Sequence, residues 1–140
     1  MVILIVDDEP FVAETLAGVF RRAGHQAHWV GGPVQAILLA QQIHPDLLVA
    51  DVMMPVATGI ELAIRFHSEF PHCKILLISG QAETNDLLED AKKRGFDFAI
   101  LAKPIWPPDL LQTAEKILGI ERDSKEPKPW DRSVQSPVKP

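Results

Sequence analysis

Met1-Val2-Ile3-Leu4-Ile5-Val6-Asp7-Asp8-Glu9-Pro10 opens the chain, and the change at Asp7 decides how the rest is read. Val2 to Val6 is wholly apolar and rich in β-branched residues, the composition of a strand buried on both faces inside a parallel sheet. It stops abruptly at three acids and a proline. Pro10 suits the first turn of a helix, and Phe11, Leu16, Val19 and Phe20 fall at helical spacing before Gly24 stops the run. The pattern then repeats. Residues 26–30 read as a more polar edge strand, and Pro33 to Ile43 as a second helix broken by His44-Pro45. Asp46 to Asp51 contains the apolar run Leu47-Leu48-Val49-Ala50. After a loop with Pro55 and Gly59, a third helix runs to about Phe70, followed by a strand over 74–78, a helix over 83–94, a strand over 98–102 and a helix over 108–118. Five strands alternating with five helices predict an α/β fold, a doubly wound three-layer sandwich around a five-stranded parallel sheet.

The chain has 140 residues, 46% hydrophobic and 24% charged, the composition of an ordinary globular domain. Its mass of 15.5 kDa allows about two-thirds of its surface to be buried on folding. Four of the 12 prolines fall in the last fourteen residues. We therefore read residues 1–119 as one domain and 120–140 as a flexible Pro-rich tail or linker. Residues 1–120 carry a net charge of −6 and residues 121–140 a net of +1. An acidic domain repels a phosphate backbone, which argues against nucleic-acid binding by this chain itself. Cys73 is alone, no apolar run reaches membrane-spanning length, and the N-terminal segment lacks the basic start of a signal peptide. A cytoplasmic, non-membrane protein is expected.

Polar residues close four of the expected strands: Asp7 and Asp8, Asp51, Ser79 and Lys103. In an open α/β sheet the ligand crevice lies outside the carboxyl ends of the strands, so these residues converge. Each alone has a plainer reading. The acids after strand one could cap a helix, Asp51 and Ser79 could be turn residues, and Lys103 could be a surface lysine. Four at four strand ends form a pattern that turn chemistry does not require. Carboxylates gathered together favour a raised pKa or a bound divalent cation. With no His or Cys beside them, the ligands would be oxygen, which points to Mg2+ (or Mn2+).

These motifs resemble those of the receiver domain of bacterial two-component response regulators. The stretches that carry the resemblance are Ile5-Val6-Asp7-Asp8-Glu9-Pro10, Pro45 to Pro55 with Gly59, Ile78-Ser79-Gly80 and Leu101-Ala102-Lys103-Pro104. The resemblance covers residues 1–119 and implies the flavodoxin-like strand order 2-1-3-4-5. It implies that Asp51 accepts a phosphoryl group from a histidine kinase or phosphotransfer protein. Asp7, Asp8 and Asp51 would hold the metal, joined by the backbone carbonyl of Met53. Ser79 and Lys103 would bind the phosphoryl oxygens, and the Lys103–Pro104 bond would be cis. The chain would then be a signalling module that catalyses its own phosphorylation and dephosphorylation, and not a turnover enzyme. Its output would pass through protein contacts to a downstream partner. A homodimer through the helix 4–strand 5–helix 5 face is one such contact.

Two departures bear on the switch. The aromatic residue that receivers usually carry three positions before the lysine is Ile100 here, and the stretch 95–103 is one residue longer than usual. Phe98 could supply a ring on the same strand face, or could pack in the core with Phe96. Gly80 is expected to leave an open approach to Asp51. Trp106, at the start of the last helix, would be an exposed anchor for a partner or a cover for the helix end. The five histidines have no metal-binding spacing and read as surface or edge residues. Two other classes remain as alternatives. A phosphorylation-independent scaffold of receiver fold is one. An aspartate-nucleophile phosphatase is the other, although position 53 lacks the second acid that such enzymes place two residues after the nucleophile.

Overall fold

The elements alternate as β1 (Val2–Val6), α1 (Pro10–Arg22), β2 (Gln26–Val30), α2 (Pro33–Ile43), β3 (Leu47–Asp51), α3 (Gly59–Glu69), β4 (Lys74–Ser79), α4 (Thr84–Lys93), β5 (Ala99–Ala102) and α5 (Pro107–Ile117). The structure, a computed structural model, describes residues 1–55, 57–80 and 84–121, so nearly all of the expected tail lies outside the described residues. All strand pairs are parallel, in the order β2-β1-β3-β4-β5. Parallel neighbours need crossovers, and α1 to α4 each supply one.

Alternation along the strands divides the core in two. Ile3, Ile5, Leu47, Val49, Leu76 and Ile78 face α1 and α5, with Phe20 and Leu110 among the residues packed on them. Leu4, Val6, Leu48, Ala50 and Leu77 face the opposite way, against α2, α3 and Phe66. Because both faces are covered, β1 and β3 carry no polar residue before their last positions. Helix starts and stops are local in origin. Pro10, Pro33 and Pro107 occupy first turns, and the Thr58 hydroxyl accepts a hydrogen bond from the Glu61 N–H at the start of α3 (3.2 Å). Gly24 and Gly95 follow α1 and α4 with positive φ.

Three expectations need correction. Phe11 is not part of the core but 85% exposed. The buried stripe of α1 runs through Ala13, Leu16, Ala17 and Phe20, and at 100° per residue Phe11 lies about 200° away from Ala13. His25 is not a surface residue, since its ring is buried against Glu115 of α5. Phe98 precedes β5 instead of beginning it. Its ring stacks on Phe96 (centroids 5.8 Å apart), and both pack against the α2–α3 side of the core. The extra residue before the lysine is thus taken up in a packed loop, and Phe98 is no substitute ring on the strand. Ile100 pairs in register with Leu77 and is 39% exposed.

Candidate functional site

The chain leaves β1 toward β2 on one side and returns to β3 on the other, which opens a crevice at their carboxyl ends. Asp7 follows β1, Asp51 ends β3, Ser79 ends β4 and Lys103 follows β5. Register aligns these ends. Val6 pairs with Ala50, Asp51 with Ile78 and Ser79 with Ala102.

Asp51 is buried, and both carboxylate oxygens are engaged. Oδ1 accepts the Met53 N–H (3.1 Å) and Oδ2 accepts from the Lys103 ammonium (2.7 Å). Behind it, the Val52 N–H donates to the Ile78 carbonyl, and the Gly59 N–H donates to the Val52 carbonyl. A Cβ at Gly59 would lie 2.2 Å from the Asp51 carbonyl oxygen, so only glycine lets the start of α3 close against the end of β3.

Asp7 is also buried, at 3% exposure. Its Oδ1 accepts the Glu9 N–H (2.9 Å), which turns the chain into α1. Burial raises its pKa, the Glu9 hydrogen bond opposes this, and the negative charge of Asp51 adds to the rise. Lys103 balances opposing effects too. Burial disfavours its charge, but the hydrogen bond it donates to Asp51 and the charges of Asp51, Asp7 and Glu9 outweigh it and raise the pKa. The Lys103 side chain is 39% exposed and its amide donates to the Ser79 carbonyl (2.9 Å). The Lys103–Pro104 bond is cis, as the resemblance implied. The room beside Gly80 is taken by the lysine's alkyl stem, since a Cβ there would meet the Lys103 Cδ at 2.8 Å. The open approach expected at Gly80 is therefore partly filled.

Among the described residues, no three His, Cys, Asp or Glu side chains form a preformed metal cage. The residues nevertheless fit Mg2+, which takes one or two carboxylates and keeps several waters. All the candidate side-chain donors are oxygen. Asp7 is a desolvated carboxylate raised further by Asp51 and Asp8, and a dication would relieve that repulsion. Asp8 is exposed at the rim, and Met53 is 46% exposed with its amide committed to Asp51.

The two remaining candidates, Ile100 and Trp106, lie on β5 and just before α5. Trp106, the residue before α5, is 64% exposed, so it does not fold down over the helix end. With Ile100 and Leu87 it gives the α4–β5–α5 side three exposed apolar residues. Sequence reasoning missed the role of Gly59 and the His25–Glu115 pair. Gly59 carried a signal in its place eight residues after Asp51. The buried pair carried none, being 90 residues apart in the chain.

Comparison with known proteins agrees with this geometry. A family model described as the response regulator receiver domain matches residues 3–115. The regulatory protein AtoC of Escherichia coli is 30% identical over 124 residues, covering 89% of this chain and 26% of AtoC. The DNA-binding response regulator MtrA of Mycolicibacterium smegmatis is 30% identical over 127 residues, covering 89% of this chain and 53% of MtrA. The chain thus spans about a quarter to a half of these relatives. Among solved structures, the chemotaxis protein CheY4 of Vibrio cholerae superposes with a TM-score of 0.71 at 27% identity, covering 83% of this chain and 97% of that one. A CheY-like receiver domain from Methanospirillum hungatei reaches a TM-score of 0.75 at 24% identity, covering 84% and 93%, and speaks to the fold alone.

Proposed function

The chain belongs to the response regulator receiver family, and from that premise we propose that Asp51 is the phosphoryl acceptor of a signalling switch, supplied by a phosphohistidine on a kinase or phosphotransfer protein. The observation that carries this reading is the Asp51–Lys103 contact of 2.7 Å at the crevice, with Asp7 buried alongside. A carboxylate is a weak nucleophile, so the rate must come from position and charge. Asp51 is held in position by the Met53 amide and by the Gly59 approach behind it. Its attack on phosphorus forms a P–O bond as the donor's P–N bond breaks. Lys103, on a flexible and partly exposed stem, is the group able to move from Asp51 Oδ2 onto a phosphoryl oxygen. Ser79, at the adjacent strand end, supplies a neutral hydroxyl donor.

Mg2+ is typical of the family, and Asp7, Asp8, Asp51 and the Met53 carbonyl are the groups that would hold it. When bound, it neutralises charge on the transferring phosphoryl group. Hydrolysis reverses the mark. Water attacks phosphorus, the P–O bond to Asp51 breaks, and carboxylate and inorganic phosphate are released. The chain is therefore a self-limiting switch, not an enzyme that turns over a metabolite. We place it in the cytoplasm, and no described helix is long and apolar enough to cross a membrane. Its output passes through protein contacts on the α4–β5–α5 side, including the homodimer that such a face permits, where Leu87, Ile100 and Trp106 are exposed.

Beryllofluoride with Mg2+ tests this reading, because it mimics a phosphoryl group without a donor protein. Amide NMR shifts should concentrate at residues 7–9, 51–53, 79 and 103 and should vanish in Asp51→Asn. Shifts that leave these residues untouched, or that survive in the variant, would overturn it.

A further inference from the structure

Residues 23–45 contain no Asp, Glu, Lys or Arg, although a quarter of the chain is charged. This stretch forms β2, the edge strand beside β1, and α2. Each of the other four helices carries charge: Glu14, Arg21 and Arg22 on α1, Glu61 and Arg65 on α3, Asp86 and Lys92 on α4, Asp109 and Lys116 on α5. Helix α2 turns Ala36, Ile37 and Ala40 inward. Outward it presents Val34 at 67% exposure and Leu38 at 58%, flanked by the exposed amides of Gln35, Gln41 and Gln42.

We propose that this uncharged outer face of α2 is a self-association surface that meets its own copy across a two-fold axis. The occupant follows from charge. A two-fold axis brings each residue near it against the same residue of the partner, so a charged residue there meets its own sign. Residues 1–120 already carry a net −6, which makes most self-contacts repulsive. Helix α2 is the one described helix whose outer face escapes this cost. Its spacing is also self-complementary. In an antiparallel pair centred on Leu38, Leu38 meets Leu38 of the partner subunit. Gln35 then meets Gln41 of the partner subunit, and Val34 meets Gln42 of the partner subunit. A glutamine amide both donates and accepts, so Gln35 and Gln41 satisfy each other in either copy. A helix of 11 residues is about 16 Å long, which gives a contact below the size of standard interfaces and a weak, concentration-dependent dimer. The contact is independent of the Asp51 site.

Sedimentation velocity on the full, unphosphorylated chain tests this over a series from about 10 μM to about 1 mM. Wild type should shift progressively toward dimer. Leu38→Glu should remain monomeric throughout, because it places two carboxylates across the axis. Equimolar Leu38→Glu and Leu38→Lys should regain association that neither shows alone. Ile100→Glu puts a charge on the α4–β5–α5 face, at the opposite sheet edge, and so reports association through that face separately from α2. Far-UV circular dichroism checks the fold of each variant. A wild type that stays monomeric would overturn the proposal. So would association that persists in Leu38→Glu, a mixture that fails to associate, or loss confined to Ile100→Glu. A chain that took no phosphoryl group would leave every one of these outcomes unchanged.

Discussion

Burial raises the pKa of Asp7 above its ordinary 3.8; the Glu9 amide and Lys103 work against the rise, and Asp51 and Asp8 add to it. An acid whose value is raised on folding binds its proton more tightly in the folded chain. Stability therefore falls as pH climbs from 3.8 through the raised value, and the cost is fully present above it. Asp7→Asn keeps an oxygen for the Glu9 amide and removes that cost, so its Tm at pH 7 should exceed wild type by a few degrees. The gap should close as the pH is lowered toward about 4. Mg2+ should raise the Tm of wild type more than that of the variant. Thermal denaturation across that range checks all three, and equal Tm values at pH 7 would contradict the account of Asp7. Lys103 does not enter this window. Its value is raised above 10.5, so its contribution persists below that pH and is lost only as alkali titrates the ammonium. Asp7, Asp51, Ser79 and Lys103 were legible because each follows an apolar run. The direction of the Asp7 shift was foreshadowed by its neighbours in sequence, but its size depends on burial that only packing creates.

Among the elements, two backbone positions carry tests. A Cβ at Gly59 would strike the Asp51 carbonyl oxygen, which is main chain and cannot swing aside. Gly59→Ala should destabilise by roughly 2 kcal/mol, in the range of overpacked sites. It should also slow modification of Asp51 by moving the end of β3. Urea denaturation and a labelling time course measure the two effects, and a neutral Gly59→Ala would mean that the close approach is not required. His44 ends α2 in the left-handed region, at φ 48°, where a non-glycine residue pays a steric cost. His44→Gly should stabilise by about 1 kcal/mol, measured the same way. The strands were legible from their apolar runs to within a residue or so. Phe11 was misread because an aromatic near a helix start looks like core, whereas the stripe's phase is fixed by Ala13 and Ala17, whose small size gives a weak signal. Phe98 was placed one residue inside β5 because a strand and a packed loop share its composition, while its reading as a packing partner of Phe96 is borne out.

For the whole molecule, alternation of strands and helices predicted a parallel sheet, but the order β2-β1-β3-β4-β5 came from family resemblance, because alternation alone does not choose among crossovers. The sequence was equally silent on His25 and Glu115, whose side chains are 7% and 6% exposed and 2.7 Å apart. This pair fastens the turn after α1 to the last helix. Removing one partner leaves the other buried without its match, so Glu115→Ala should cost about 3 kcal/mol. The double variant His25→Ala with Glu115→Ala should cost less than the sum of the singles, a coupling that a denaturation cycle reads directly. The central claim concerns Asp51, and the most direct measurement is intact mass after incubation with acetyl phosphate and Mg2+. Wild type should gain one phosphoryl group, and Asp51→Asn and a sample with EDTA should gain none. An adduct on the Asp51→Asn variant, or none on wild type after beryllofluoride binding has been established, would contradict the account.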